Sequence, residues 1–252
     1  MLNASTSLNS ALRAAADALL AVVFAPACAA CSLPLARPSR GPVCDACWGS
    51  IIPITPPVCV RCGDPLPTWR AISVPLERCP RCRRKPRDLD RARAIGEYEG
   101  ALRAIVHALK YDARRSLARP LAMMMRANAG EILAGIDCAV PVPLHASRRR
   151  HRGFNQAADL AHCLHVPVCA ALKRTRATAT QTGLPAAQRH RNVRDAFQLT
   201  RAGRRLAGAI VLLVDDVSTT GATLDACARA LKAGGVKEVR ALTAARVVTS
   251  RR

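Results

Sequence analysis

Residues 211–223 read V-L-L-V-D-D-V-S-T-T-G-A-T, and this stretch decides the fold. Val211 to Val214 form an apolar run bounded by Gly208 and by polar residues, the pattern of a buried parallel strand. Asp215 and Asp216 stand where that strand ends. Ser218, Thr219, Thr220 and Gly221 are all small, and from Ala222 onward the chain has helical periodicity. A strand passing through a small-residue loop into a helix makes a cup of backbone N–H groups. The helix dipole and the hydroxyls add to it, so the cup suits a phosphate. Adjacent acids would repel that phosphate unless they had other partners: vicinal sugar hydroxyls one ring away, or Mg²⁺. In open α/β sheets such ligands lie outside the carboxyl ends of the strands. An idle, exposed acidic pair is the plain alternative.

The chain around this stretch has 252 residues, enough for one or two domains with a sizeable core. No apolar run is long enough to span a bilayer. The formal charge is +22, from 39 basic and 17 acidic side chains, and only five of the basic residues are Lys. An Ala- and Arg-heavy composition is compatible with base bias; a positive balance this large still favours polyanions, whether nucleic acid or phosphorylated substrates.

Eight of the twelve cysteines form four C-x-x-C pairs: Cys28/Cys31, Cys44/Cys47, Cys59/Cys62 and Cys79/Cys82. Each pair presents two thiolates from one tight turn, and two turns complete a tetrahedral Zn²⁺ site. Consecutive pairing predicts two structural zinc ions; cross-brace pairing is equally compatible with the spacing. So few large side chains among so many Pro predict a segment that folds only with metal. Metal-ligand spacing also implies a reducing compartment. Cys138, Cys163, Cys169 and Cys227 read as buried thiols. Of the aromatic residues, only Trp48 and Trp69 fall within this segment, so no platform for stacking bases is evident.

Before the knuckles, Ser10 to Phe24 has helical spacing. Asp17 and the lack of a basic residue before Arg13 speak against a signal peptide. After them, R-R-K-P-R-D-L-D-R-A-R (83–93) reads as a basic linker, either a DNA-contacting stripe or a solvated hinge. Strands are expected over 94–98, 137–142, 166–172 and 238–247, and helices over 100–111 and 116–129. On the first of these helices His107 and Lys110 are candidates to face a site, although a lone His and Lys on a helix are more often structural or solvent-facing. S-R-R-R-H-R-G (147–153) reads as a cationic loop at a strand's carboxyl end, with Arg forks suited to a diphosphate. The polar stretch 173–196 reads as a hood over the site.

The four knuckles, Y-E-G with H-A-L-K-Y (98–111), P-V-P-L-H with R-x-R-G-F-N-Q-A (141–157), Q-T-G-L with R-x-x-N (181–192) and V-D-D-V-S-T-T-G-A-T together resemble the ComF family. Ser218 departs from its pattern, where a β-branched residue is usual. The resemblance implies an α/β type I phosphoribosyltransferase fold, a mostly parallel sheet flanked by helices, behind a small double zinc ribbon. It divides the chain into an N-terminal helix (1–27), the ribbons (28–87) and the phosphoribosyltransferase-like domain (88–252). Asp215 and Asp216 would hold the ribose hydroxyls of phosphoribosyl pyrophosphate (PRPP). Ser218, Thr219, Thr220, Gly221, Ala222 and Thr223 would bind its 5′-phosphate. His145, Arg148, Arg149, Arg150 and Arg152 would face the pyrophosphate, and Gln181, Arg189 and Asn192 would close the hood. The implied reaction is Mg²⁺-dependent displacement of pyrophosphate from C1 through an oxocarbenium-like transition state. The implied setting is cytoplasmic, linked to DNA uptake, with single-stranded DNA and DNA-uptake proteins as partners. A DNA-handling adaptor whose pocket senses PRPP or stands idle is the alternative.

Overall fold

The computed structural model describes residues 3–67, 77–175 and 196–248, with side chains from residue 11 onward. Its centre is a four-stranded, all-parallel sheet. The strands are β1 (Arg91–Glu97), β2 (Cys138–Pro141), β5 (Ile210–Ser218) and β6 (Glu238–Arg246), in the order β1-β6-β5-β2. Val211 to Val214 and the stretch from Val239 to Ala245 are buried because helices cover both faces of the sheet. One layer packs α4 (Gly100–Tyr111), α5 (Ala118–Asn128) and α7 (Gln156–His162) through Ile105, Leu109, Leu121, Met125 and Leu160. The other packs α8 (Ala222–Ala233) through Leu224, Cys227 and Leu231.

A long helix α1 (Asn3–Phe24) opens the chain. It is tied to the first ribbon by Asp17 Oδ1, which accepts from the Ser39 amide at 2.7 Å. Two short helices follow a cysteine each: α2 (Asp45–Gly49) after Cys44 and α3 (Pro80–Arg84) after Cys79. The first ribbon is continuous with the core, since Cys28, Leu35 and Val43 are buried against the α4 layer and Trp48 packs there too. Trp48 is thus a packing residue. Trp69 lies outside the described residues.

Three expectations need correction. β5 does not end before the acids; it runs through Asp215 and Asp216 to Ser218. Residues 166–172 are not a full strand: Val168 makes one bridge to Ala139, and Leu172–Arg174 (β3) pairs antiparallel with Phe197–Leu199 (β4). The basic stretch 147–153 is not a loop but the helix α6 (Ala146–Arg152), stopped by Gly153 at φ 79. Met123–Met125 divides: Met125 is buried and Met123 is exposed, as helical rotation requires.

Candidate functional site

A cavity of about 440 Å³ opens at the carboxyl ends of β2, β5 and β6. The strand character of residues 215–218 decides how the acids are used, because neighbours on a strand point to opposite faces. Asp216 turns toward the α4 layer, is 3% exposed, and meets Lys110 Nζ at 2.8 Å through Oδ1. Its Oδ2 is buried with no hydrogen-bond partner. Burial works against the Lys110 ammonium, but Asp216 outweighs it and raises the lysine's pKa. Asp215 is partly buried and accepts from the Asp216 amide at 2.9 Å. Burial, then the charge of Asp216, pushes its carboxyl up to about 7, against the pull of Lys110. Both acids line the cavity.

Opposite them lies the loop 218–223. Gly221 takes φ 75 and is the N-cap of α8, so the helix's first amides face the cavity. A left-handed residue is needed here to turn strand into helix within three residues. The Ala222 amide donates to Thr220 Oγ1 at 3.3 Å. Thr219, Ala222 and Thr223 also line the cavity. Carboxylates on one side and a helix N-terminus on the other suit a ligand with hydroxyls at one end and a phosphate at the other.

Of the five predicted diphosphate residues only Arg148 lines this cavity. Arg149 and Arg150 face a neighbouring groove of about 620 Å³ with Lys173. Arg152 donates to Gln156 Oε1 at 2.8 Å and lies over the Tyr111 ring, 5.1 Å from its centroid. His145 caps α6, its Nδ1 2.7 Å from Ser147 Oγ. A helix spreads consecutive side chains by about 100° each, so a run of arginines cannot converge as a loop would let it. The cavity's second arginine is Arg174, on β3. Gln181, Arg189 and Asn192 lie outside the described residues.

Sequence reasoning missed Tyr98, Tyr111 and Arg174 and weighed Lys110 without choosing it; all four line the cavity. Lys110 left a signal: it follows the buried Val106 by four residues, on the flank of the apolar stripe.

The cysteines settle into two tetrads by consecutive pairing, Cys28/Cys31/Cys44/Cys47 and Cys59/Cys62/Cys79/Cys82, with sulfurs within 4.8 Å of one another. Cys31 and Cys44 Sγ are 3.9 Å apart, Cys62 and Cys79 Sγ 3.7 Å. A tetrahedron with Zn–S of about 2.3 Å has edges of about 3.8 Å, so both tetrads fit zinc. Hydrogen bonding from Cys62 drives the Cys59 thiol far below its usual pKa, and bonding to Cys59 drives Cys82 far above. Without a cation the cluster cannot hold four thiolates. All twelve cysteines are free thiols. The second tetrad is wholly buried, whereas Cys31 of the first is exposed. A chelator should therefore release one zinc equivalent quickly, from the first tetrad, and the second much more slowly. A colorimetric time course on wild type and Cys31→Ser would check this, the variant lacking the fast phase.

A parallel sheet with an acid pair and a small-residue loop opening a helix at its carboxyl edge, preceded by two cysteine tetrads, defines a phosphoribosyltransferase-like protein with a double zinc ribbon. Family models agree: a phosphoribosyl transferase domain matches residues 150–251 and a double zinc ribbon domain residues 19–83. The chain is 34% identical to the DNA utilization protein YhgH of Salmonella typhimurium, over 84% of this chain and 93% of that one. It is 31% identical to competence protein F of Haemophilus influenzae, over 80% and 89% respectively. With competence protein ComFC of Bacillus subtilis the figures are 26%, 75% and 77%. The chain belongs to the ComF family.

Proposed function

We propose that the cavity binds PRPP and transfers its phosphoribosyl group to an acceptor. The observation that carries this reading is the acid pair Asp215 and Asp216 lining one cavity with the N-terminus of α8. Carboxylates accept from hydroxyls and a helix N-terminus binds phosphate, so the two walls match the two ends of a ribose 5-phosphate. Asp215 and Asp216 accept from the two ribose hydroxyls, and the α8 amides with Thr219 and Thr223 hold the 5′-phosphate. Arg148 and Arg174 stabilise the charge that gathers on the diphosphate as its bond to C1 breaks. Positioning and charge stabilisation suffice for such a transfer, without a strong base.

The residues present do not make a protein-held Mg²⁺ site. Asp216 Oδ1 is committed to Lys110, and Asp215 is held partly protonated near neutrality. A Mg²⁺ ion belongs instead to the diphosphate, whose charge it offsets, and the carboxylates are left for hydroxyls.

Calorimetric titration with PRPP, with and without Mg²⁺, tests the reading. Asp215→Asn with Asp216→Asn should weaken binding by about 100-fold or more, the scale of two charge-assisted hydrogen bonds. A double variant that binds PRPP as wild type does would overturn it. The pH dependence is also fixed. Asp215 carries a proton below about pH 7 in the free protein. Hydroxyl donors prefer the carboxylate, so affinity should rise as pH climbs to 7 and level off above it. Asp215→Asn should flatten that part of the profile. For stability the sign is the reverse. The folded state holds this proton more tightly than the unfolded chain, which favours folding in acid. That advantage is lost between the unfolded value of about 4 and the folded value of about 7.

The names of the relatives, DNA utilization and competence proteins, support a role in DNA utilization and competence. A charge of +22 supports DNA or its uptake machinery as a partner. Among the described residues no helix is long and apolar enough to cross a membrane. An adaptor with an idle pocket predicts that the double Asn variant transforms normally; an enzyme predicts that transformation is lost.

A further inference from the structure

The second ribbon's first knuckle reaches the loop 218–223 by two routes, through Asp64 and through Arg61, and rests on the start of β1 at Gly63. Asp64 pairs with Arg246 Nε at 3.0 Å, and the two residues are 4% and 2% exposed. Arg246 Nη1 donates onward to Ser218 Oγ at 3.4 Å, the residue where β5 becomes the loop. Arg61 Nη1 donates to the Arg87 carbonyl at 2.8 Å, and Arg87 Nη2 donates to the Thr220 carbonyl at 3.0 Å. Arg87 Nη1 stands 2.6 Å from where a Cβ on Gly221 would be, so the guanidinium lies against the back of the turn. Gly63 is pressed on the Ala92 carbonyl, 2.6 Å from its own absent Cβ.

The knuckle's shape is set by its two thiolate ligands. The Cys59 amide donates to the Asp64 carbonyl and the Gly63 amide to the Cys59 carbonyl, each at 2.8 Å, folding Arg61 and Asp64 outward from the metal turn. We infer that the second zinc ribbon is a strut for the anion loop. Asp64, through Arg246, and Arg61, through Arg87, are positioning residues that hold Ser218 and Thr220. The loop is then in register for a phosphate only while the second tetrad is intact. The first ribbon has no such contact among the described residues; it packs on the α4 layer. The inference rests on the reading of loop 218–223 as the phosphate site, but its direct test does not need a ligand.

That test is hydrogen exchange by mass spectrometry on the full chain carrying Asp64→Asn or Arg87→Ala, with zinc counted in the same samples. Arg87 is partly exposed, so its variant keeps the test informative if Asp64→Asn folds poorly. Both variants should retain two zinc ions while amides of 217–224 exchange about tenfold faster, the scale of one charge-assisted hydrogen bond. Peptides from α5 and β2, which the knuckle does not touch, should exchange as in wild type. Unchanged exchange in the loop, or a uniform increase across the sheet, would overturn the strut. PRPP titration of the same proteins separates the two claims. A wild type that ignores PRPP while Asp64→Asn loosens the loop retires the phosphoribosyl reading and keeps the strut. A variant that matches wild type in both affinity and exchange retires the strut alone.

Discussion

Lys110→Met should destabilise the protein by about 3–5 kcal/mol, because it strands a carboxylate in the core. Asp216 is 3% exposed, and its one ion-pair partner is the ammonium 2.8 Å away. The other oxygen already lacks a hydrogen bond. Met keeps the length and apolar stem of Lys, so lost packing contributes little. Urea unfolding would measure the deficit. It should shrink in acid, where the stranded carboxylate takes up a proton, and grow toward neutrality. Asp216→Asn in the Met background should restore much of the loss, since the second change removes the uncompensated charge. Asp216→Asn alone should be milder than Lys110→Met, because Lys110 is less deeply buried and reaches the cavity, where water can solvate it.

The larger effect is expected from Cys82→Ser. A structural zinc of this type contributes about 10–16 kcal/mol of folding free energy. Among the described residues, the second ribbon's buried cluster consists of the four cysteines, with Leu66 packed against it. The variant should bind one zinc per chain instead of two, by elemental analysis. It should also lose the order of residues 57–67 and 77–83, read as new protease cleavage there. Arg246 would then lose Asp64 and be left as a buried guanidinium without its counter-charge, so damage should spread to the end of β6. Cys31→Ser should remove the other zinc with less consequence. Its ribbon also packs apolar side chains, Leu35 and Val43, against the α4 layer.

Some of this architecture depends on short stretches, and those stretches are legible. Val211 to Thr223 encodes strand, loop and helix within thirteen residues, because backbone preference and apolar patterning act locally. The C-x-x-C spacing likewise carries its own chemistry, since one turn fixes two thiolates. Helix 100–111 emerges with the predicted bounds because its apolar stripe has an unbroken period. Local pattern misled at S-R-R-R-H-R-G, where charge without an apolar stripe gave no sign of α6. It also misled over 166–172, an apolar run that pairs with the main sheet at one position.

By itself, the sequence determined which backbone would carry an acid pair beside a small-residue loop, and which cysteines come as paired turns. Only the tertiary structure decided which tetrad each cysteine joins, which arginines reach the cavity, and what neutralises Asp216. The same holds for the tie between metal knuckle and loop: Asp64 and Arg246 are 182 positions apart, Arg87 and Thr220 133 apart. No propensity or spacing rule extends over such separations. An isolated charge in a sequence reads as solvated until packing removes the water, and only then must it find its partner.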